Sequence, residues 1–267
     1  MDVLITGASG FLGSRLKAYL LEKGYEVVAP SHGELGITSR IACTEYLQWV
    51  RPHVVVHCAA LASTGYCEEH PEESYATNVM GPENLAVACG LVGARLVYMS
   101  SDQVYNGTKI NGLLPEDAPL APVNVYGRHK LEAEQRVGDV LPNAVGLRLT
   151  WMYDWPDSAY PHTGGILCMM RQALEQGKTV RANPKEHRGV TDVWTVVRNI
   201  ERLLHTDVRG VYNFGTPNEK NSLDTYADLA VSNGFPASLI EADDSRPGRN
   251  LSMSVQRIQG LMENFEL

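Results

Sequence analysis

The feature that most constrains the fold is a glycine-rich turn at the start of the chain. The apolar run Asp2-Val-Leu-Ile-Thr6 leads directly into Gly7-Ala-Ser-Gly-Phe-Leu-Gly13. Leucines at helical spacing follow over Ser14–Lys23, and Tyr25-Glu-Val-Val-Ala29 has the composition of a second strand. This order predicts a βαβ unit whose first turn carries regularly spaced glycines.

A turn of this kind is typical of a dinucleotide site. Glycine permits the tight turn and the close approach of the backbone to a diphosphate, and the helix start offers N–H groups and a partial positive charge. The pattern lies between a predicted strand and a predicted helix, which is the context such a site needs. The expected cofactor contacts in this turn are Gly7, Ser9, Gly10, Phe11, Leu12 and Gly13.

The end of the second predicted strand bears on the choice of cofactor. An NAD site usually places Asp or Glu there to hold the ribose 2′-hydroxyl. This chain instead reads Ala29-Pro-Ser-His32, and Glu34 comes slightly late. The missing carboxylate leaves room for a 2′-phosphate, with Ser31 and His32 as candidate contacts. We therefore favour NADP(H), with NAD(H) as the alternative.

The rest of the first half alternates predicted strands and helices, which indicates an α/β, Rossmann-type doubly wound parallel sheet. After the strand Pro52–His57, we expect the small residues Cys58, Ala59 and Ala60 to lie against the cofactor, because ligands bind at the carboxyl ends of such strands. His57 itself is interpreted as a packed strand residue. The later predicted elements are a helix over Glu72–Leu91 that contains the further cofactor candidate Asn78, a strand over Ala94–Met99, a helix from Val125 to Arg136 and a strand over Ala144–Leu149.

The alternation breaks after Trp151. The stretch Tyr153–Gly165 is rich in Pro, Asp, Tyr and Gly and is predicted to be a loop near the substrate. We predict a dinucleotide-binding domain over residues 1–150, to which 185–214 return, and a small interleaved C-terminal substrate-binding lobe from 151–184 and 215–267. The elements predicted there are helices at Ile166–Gln176, Thr191–Leu204, Leu223–Asn233 and Arg257–Asn264 and a strand at Gly210–Gly215.

Composition narrows the possible partners and compartment. The 267 residues carry a net charge of −8, which argues against a broad nucleic-acid surface. No apolar run approaches the ~18 residues that span a bilayer, and the start of the chain lacks a basic leader region. Five scattered cysteines indicate reduced thiols in a cytoplasmic protein. Cys67-Glu-Glu-His70 is interpreted as a polar helix start, and no metal is expected.

A tyrosine and a lysine four residues apart carry the chemical prediction. Tyr126 and Lys130 share one face of a predicted helix, and a nearby ammonium favours a phenolate, so Lys130 is predicted to lower the pKa of Tyr126. Upstream, a strand ends at Ser100-Ser101-Asp102. With the glycine turn, this order predicts a nicotinamide-dependent carbonyl reductase. Tyr126 is its proton donor, Ser101 (alternatively Ser100) binds the ketone oxygen, and Lys130 also holds the nicotinamide ribose.

These motifs together resemble the extended short-chain dehydrogenase/reductases, and among them the dTDP-4-dehydrorhamnose reductase family. The resemblance covers nearly the whole chain and is carried by Thr6–Gly13, Arg51–Ala60, Cys67–Asn78, Ser100–Gly107, Pro122–Lys130 and Arg246-Pro247. It implies NAD(P)H-dependent reduction of a nucleotide-linked 4-keto-6-deoxy sugar, dTDP-4-dehydrorhamnose to dTDP-L-rhamnose. The substrate contacts expected on this basis are Ser100, Asp102, Tyr105, Trp151 and Arg246.

Other functions stay open within the resemblance. Another nucleotide-sugar reductase or a 4-epimerase would use the same frame, and the regulatory subunit of methionine adenosyltransferase resembles this family without being a reductase. Some family members bridge a dimer through magnesium held by an acidic residue just after the glycine turn. Here that neighbourhood is Ser14-Arg15, so the resemblance does not extend to the ion, and we expect a monomer or a homodimer.

Overall fold

A six-stranded parallel sheet forms the centre of this computed structural model, which describes residues 1–155, 160 and 165–266. The strands in chain order are β1 (Asp2–Thr6), β2 (Glu26–Val28), β3 (Val54–His57), β4 (Arg95–Ser101), β5 (Val145–Leu149), β6 (Trp151–Tyr153), β7 (Val180–Ala182), β8 (His187–Arg188), β9 (Val190–Asp192), β10 (Gly210–Phe214), β11 (Ile240–Ala242) and β12 (Asn250–Leu251). The central order is β10-β5-β4-β3-β1-β2, and β6-β9, β7-β11 and β8-β12 form separate pairs. The predicted Rossmann-type α/β fold is confirmed.

The helices differ from prediction mainly in one place. In chain order they are α1 (Phe11–Glu22), α2 (Arg40–Val50), α3 (Thr64–Glu69), α4 (Pro71–Tyr75), α5 (Gly81–Val92), α6 (Val125–Val140), α7 (Ile166–Glu175), α8 (Val193–Leu203), α9 (Ser222–Ser232) and α10 (Gln256–Gln259). The single helix expected over Glu72–Leu91 is α4, a π-helical turn at Ala76–Met80 and α5. Pro82 explains the break, because it has no N–H to donate to the carbonyl of Asn78.

Helices cover both faces of the sheet, because alternate strand residues point to opposite sides. Val3 and Ile5 of β1 pack in a core with α1 and α8, whereas Leu4 packs in a second core with α2 and α5. Burial on both sides explains why these strands read as nearly continuous apolar runs.

The strand order places a crevice at the carboxyl ends of β1 and β3. The chain leaves β1 towards β2 and later returns to β3 on the other side of β1. Ligands bind at such a switch point in open α/β sheets. The glycine turn follows β1 and Cys58–Ala60 follow β3, so the two predicted cofactor segments meet at this crevice.

A third core lies in the region predicted as the lobe and joins α7, α9, β7 and β11 through residues such as Met170, Tyr226 and Leu239. Val255 and Ile258, near the end of the chain, pack in the main core with α1 and α8. The division into two domains itself stays a prediction. Residues 156–159 and 161–164 of the expected substrate loop lie outside the described residues. Within the described ranges, no helix is both long and apolar enough to cross a membrane.

Candidate active site

The glycine turn packs directly against the end of β3. Gly7 has φ +70°, and a Cβ on it would lie 2.5 Å from the backbone nitrogen of Ala59. A Cβ on Gly13 would lie 2.2 Å from the Gly7 carbonyl oxygen. Both positions therefore require glycine. Gly10 is the N-cap residue of α1, and no side chain of the described residues makes a capping hydrogen bond there. Ser9 is exposed next to it. The start of α1 at the glycine turn therefore fits a diphosphate.

The turn after β2 carries the carboxylate of Glu34, whose position the sequence pattern did not predict. Both the backbone N–H and the hydroxyl of Ser31 donate to Glu34 Oε2, at 2.8 and 2.7 Å. These two hydrogen bonds hold the pKa of Glu34 below its ordinary value. The inference from a missing carboxylate is thereby corrected, because the turn after β2 folds Glu34 back onto Ser31. His32 is exposed in the same turn.

Tyr126 reaches the site because the start of α6 is fixed from two sides. The Asn124 side chain accepts from the Gly127 N–H at 2.7 Å, and Glu68 Oε1 accepts from the Val125 N–H at 2.7 Å. A Cβ on Gly127 would lie 2.5 Å from the carbonyl oxygen of Gln103, so glycine allows α6 to pack against the turn that follows β4. Glu68 thus helps to hold the start of α6 in place.

The three predicted catalytic side chains come together and are nearly buried. Ser101, Tyr126 and Lys130 are 7%, 8% and 5% exposed. The side chains of Ser101 and Tyr126 are hydrogen-bonded to each other. Lys130 Nζ lies 5.7 Å from the centroid of the Tyr126 ring and donates to the Met99 carbonyl oxygen at 2.9 Å.

Burial controls the protonation of this cluster. Desolvation raises the pKa of Tyr126 above its ordinary value, and the Ser101 hydrogen bond and the charge of Arg188 offset this only in part. The prediction that Lys130 leaves Tyr126 with a lowered pKa is therefore wrong. Burial also lowers the pKa of Lys130 to about 8. His57 is buried and bonded to Thr6 Oγ1 at 2.7 Å, with its pKa lowered to about 3 by burial and by Lys130, as fits a neutral packed residue.

Three of the predicted substrate contacts are bonded to other protein groups. Ser100 Oγ donates to Glu134 Oε1 at 2.5 Å, and Tyr105 is fully buried and donates to Asn213 Oδ1 at 2.9 Å. Asp102 is also fully buried. Ser100, Asp102 and Tyr105 are thus nearly or fully buried and bonded to other protein groups, and their role as substrate contacts stays a prediction.

The remaining predicted residues fall into two groups. Asn78 is buried, and its side chain bonds both the N–H and the carbonyl of Leu61, at 3.0 and 2.9 Å. It holds the segment after Cys58–Ala60, and its contact with the cofactor stays a prediction. By contrast, Trp151 is 42% exposed and Arg246 is exposed on the loop between β11 and β12. Both remain candidate substrate contacts.

Sequence reasoning missed Arg188. Its guanidinium pairs with Asp102 and lies 4.3 Å from the centroid of the Trp151 ring, which stacks on Tyr226 at 6.4 Å. No motif marks this arginine, since it lies 86 residues from its partner. The one line of reasoning that could have found it is a search for a cationic partner of Asp102 at the end of β4, because a buried aspartate is usually paired.

The fold and this site define an extended short-chain dehydrogenase/reductase. The family described as the RmlD substrate binding domain matches residues 1–239, and the chain belongs to that family. The dTDP-4-dehydrorhamnose reductase of Mycolicibacterium smegmatis is 35% identical over 157 residues, which cover 59% of this chain and 47% of that relative. The chain thus matches about half the length of this relative.

Two other similarities extend over nearly the whole chain. The methionine adenosyltransferase 2 subunit beta of Bos taurus is 27% identical over 97% of this chain and 82% of its own length. A crystal structure of the dTDP-4-dehydrorhamnose reductase of Bacillus anthracis in complex with NADP has a TM-score of 0.84 and 26% identity, covering 99% of this chain and 95% of that one.

Proposed function

We propose that this protein uses NADPH to reduce the 4-keto group of a nucleotide-linked 4-keto-6-deoxy sugar, with dTDP-4-dehydrorhamnose as the first candidate. The observation that carries the proposal is the convergence of Ser101, Tyr126 and Lys130 beside the glycine turn. The reductases named among its relatives support the same reaction class.

The protonation states of the site suit reduction. A bound nicotinamide supplies the hydride. Ser101 donates a hydrogen bond to the ketone oxygen, and Tyr126 gives that oxygen a proton as the alkoxide forms. Because burial raises the pKa of Tyr126, the phenol stays protonated at neutral pH, which is the form a proton donor needs. Lys130 supplies a buried cation on the same helix face, where it stabilises the phenolate that remains after transfer.

The test is sugar-dependent oxidation of NADPH, followed by absorbance, with dTDP-4-keto-6-deoxy-L-mannose made in situ. Tyr126→Phe removes only the hydroxyl and should lower kcat at least ~10²-fold with little change in cofactor affinity. Tyr98→Phe is the matched control, because Tyr98 is a buried tyrosine of β4 that packs in the core with α2 and α5 and is not one of the predicted catalytic residues. It should change kcat less than about twofold. Near-normal turnover of Tyr126→Phe would show that Tyr126 is not the proton donor.

NADPH is proposed as the preferred cofactor, with NADH as the alternative. The NADP complex of the Bacillus anthracis relative supports this choice. The exposed Glu34 carboxylate at Ser31 works against it, because a carboxylate repels a 2′-phosphate. Michaelis constants for NADPH and NADH decide between them, and a lower constant for NADH would overturn the preference.

A second candidate is a non-catalytic, NADP-binding regulatory subunit. The observation in its favour is the similarity to methionine adenosyltransferase 2 subunit beta over nearly the whole chain. Such a protein would bind cofactor, show no ketoreductase turnover and co-purify with a partner enzyme. An epimerase would instead retain NAD and cause no net oxidation. Cytoplasmic location and a monomeric or homodimeric state remain part of the proposal.

A further inference from the structure

A buried ion pair outside the predicted catalytic residues lies directly behind Ser101. Arg188 Nε lies 2.8 Å from Asp102 Oδ2, and Arg188 Nη2 lies 3.0 Å from Asp102 Oδ1. The side chains are 5% and 0% exposed. A two-point arginine–carboxylate contact of this kind fixes the plane of the carboxylate as well as its charge.

The carboxylate of Asp102 in turn fixes the Ser101 hydroxyl. Ser101 Oγ donates to Asp102 Oδ1 at 3.2 Å and accepts from the Gln103 N–H at 3.2 Å. The Gln103 side chain also donates to Asp102 Oδ1, at 3.2 Å. The orientation of the Ser101 hydroxyl therefore depends on the Asp102 carboxylate. Among the cations of the described residues, only Arg188 pairs with that carboxylate.

We propose that Arg188 is a positioning residue for the ketone reduction. It holds the Asp102 carboxylate, which keeps Ser101 Oγ in place beside Tyr126 until the single Ser101 proton turns from Asp102 to the ketone oxygen. The inference rests on the proposed function. Without the guanidinium, a buried carboxylate must rotate towards water or take up a proton. Either change removes or moves the acceptor of Ser101, and a small displacement of an orienting group is costly for a reaction that depends on geometry.

The chain contains a matched pair for comparison. Arg148 and Glu134 form a second buried, two-point ion pair at 2.8 and 3.0 Å, with both side chains 5% exposed. This pair contacts Ser100 and not Ser101. Arg148→Met therefore breaks a pair of similar burial and geometry, and it should lower thermal stability by a similar amount without acting through Ser101.

The first measurement needs no turnover. Crystal structures of wild type, Arg188→Met and Arg148→Met, each with NADP bound, are compared at Ser101. Arg188→Met should move Ser101 Oγ out of its hydrogen bond with the Gln103 N–H, whereas Arg148→Met should leave Ser101 in place. If Arg188→Met does not fold, Arg188→Lys, which keeps the cation but not the two-point contact, takes its place. An unchanged Ser101 in the Arg188 variant overturns the proposal.

The second measurement is a double-mutant cycle on kcat with Ser101→Ala. Arg188→Met should lower kcat about 10- to 100-fold in wild type but less than about twofold in the Ser101→Ala background, because the group it positions is absent there. Arg148→Met should have the same effect in both backgrounds. Equal effects of Arg188→Met in both would contradict the proposal. A wild type that binds NADPH but turns over no keto sugar refutes the proposed function, and the crystallographic comparison still decides the role of Arg188.

Discussion

Replacing Lys130 by methionine should make the protein more stable while abolishing its activity. Lys130 is a buried cation whose pKa falls from its ordinary 10.5 to about 8, with burial as the main cause. Holding the proton on this amine at neutral pH therefore costs the folded state free energy that the unfolded chain does not lose. Methionine has a similar length and no charge, so it removes that cost.

The magnitude follows from the pKa values. At about 1.4 kcal/mol per pKa unit, a decrease from 10.5 to about 8 corresponds to roughly 3 kcal/mol. The variant loses the hydrogen bond from Nζ to the Met99 carbonyl oxygen, which costs about 1 kcal/mol. We therefore expect Lys130→Met to be about 2 kcal/mol more stable than wild type below pH 8.

The pH dependence gives the prediction its sign. Between pH 8 and 10.5 the unfolded chain binds more protons at this site than the folded chain, so the free energy of unfolding of wild type rises with pH in that window. Lys130→Met lacks this rise. Its advantage should be largest below pH 8, shrink as the pH increases, and become a small disadvantage near pH 10.5, where only the lost hydrogen bond remains.

Urea unfolding at several pH values between 6.5 and 10 measures this difference. Lys109→Met is the control, because Lys109 is exposed and should give a difference that does not depend on pH. The reasoning is refuted if Lys130→Met is less stable than wild type at pH 6.5, or if the difference is the same across the range. Loss of turnover should accompany the gain in stability, since the buried cation is expected to serve catalysis.

Two further predictions concern the walls of the crevice. Gly127→Ala should destabilise the protein by about 1–3 kcal/mol and lower kcat, because its Cβ would lie 2.5 Å from the Gln103 carbonyl oxygen. The control Gly138→Ala, on the same helix, places its Cβ in open space and should stabilise the protein by up to ~1 kcal/mol. Thermal unfolding that ranks the two variants in the opposite order contradicts this packing. Glu34→Gln should raise the preference for NADPH over NADH about two- to fivefold, because it removes a negative charge that repels the 2′-phosphate. The control Glu22→Gln, at another exposed position, should leave the preference unchanged. An unchanged ratio of Michaelis constants in Glu34→Gln would show that Glu34 does not face the 2′-phosphate.

Local sequence patterns were sufficient wherever neighbouring residues determine the structure. The turn from Gly7 to Gly13 requires its glycines because the turn itself is tight, so the pattern predicted the crevice. The spacing of Tyr126 and Lys130 placed both on one face of α6 for the same local reason. The patterns failed where distant segments meet. Asp102 becomes a buried support only because β8 brings Arg188 to it, and no periodicity reports such a pairing.

Protonation is the other property that residue spacing did not predict correctly. The distance between Tyr126 and Lys130 along a helix suggests a lowered pKa for the phenol, but the outcome depends on how much water remains around it. In the folded chain, desolvation of Tyr126 outweighs the opposing interactions and raises the pKa. Burial depends on the tertiary structure, so the direction of this pKa shift could not be predicted from the sequence.

Arg15 is opposite in charge to the acidic residue that the resemblance leads one to expect just after the glycine turn. Where the resemblance leads to an acidic metal ligand, Arg15 is fully buried and donates to Asp154 Oδ2 at 2.7 Å and to the Phe11 carbonyl at 2.9 Å. Its Nη2 is buried and has no hydrogen-bond partner among the described residues, which costs about 1–3 kcal/mol. Because Asp154 also accepts from Trp194 Nε1 at 3.2 Å, the pair joins α1, the segment after β6 and α8. A cation at this position cannot serve as a magnesium ligand, so the resemblance does not extend to the bridging ion.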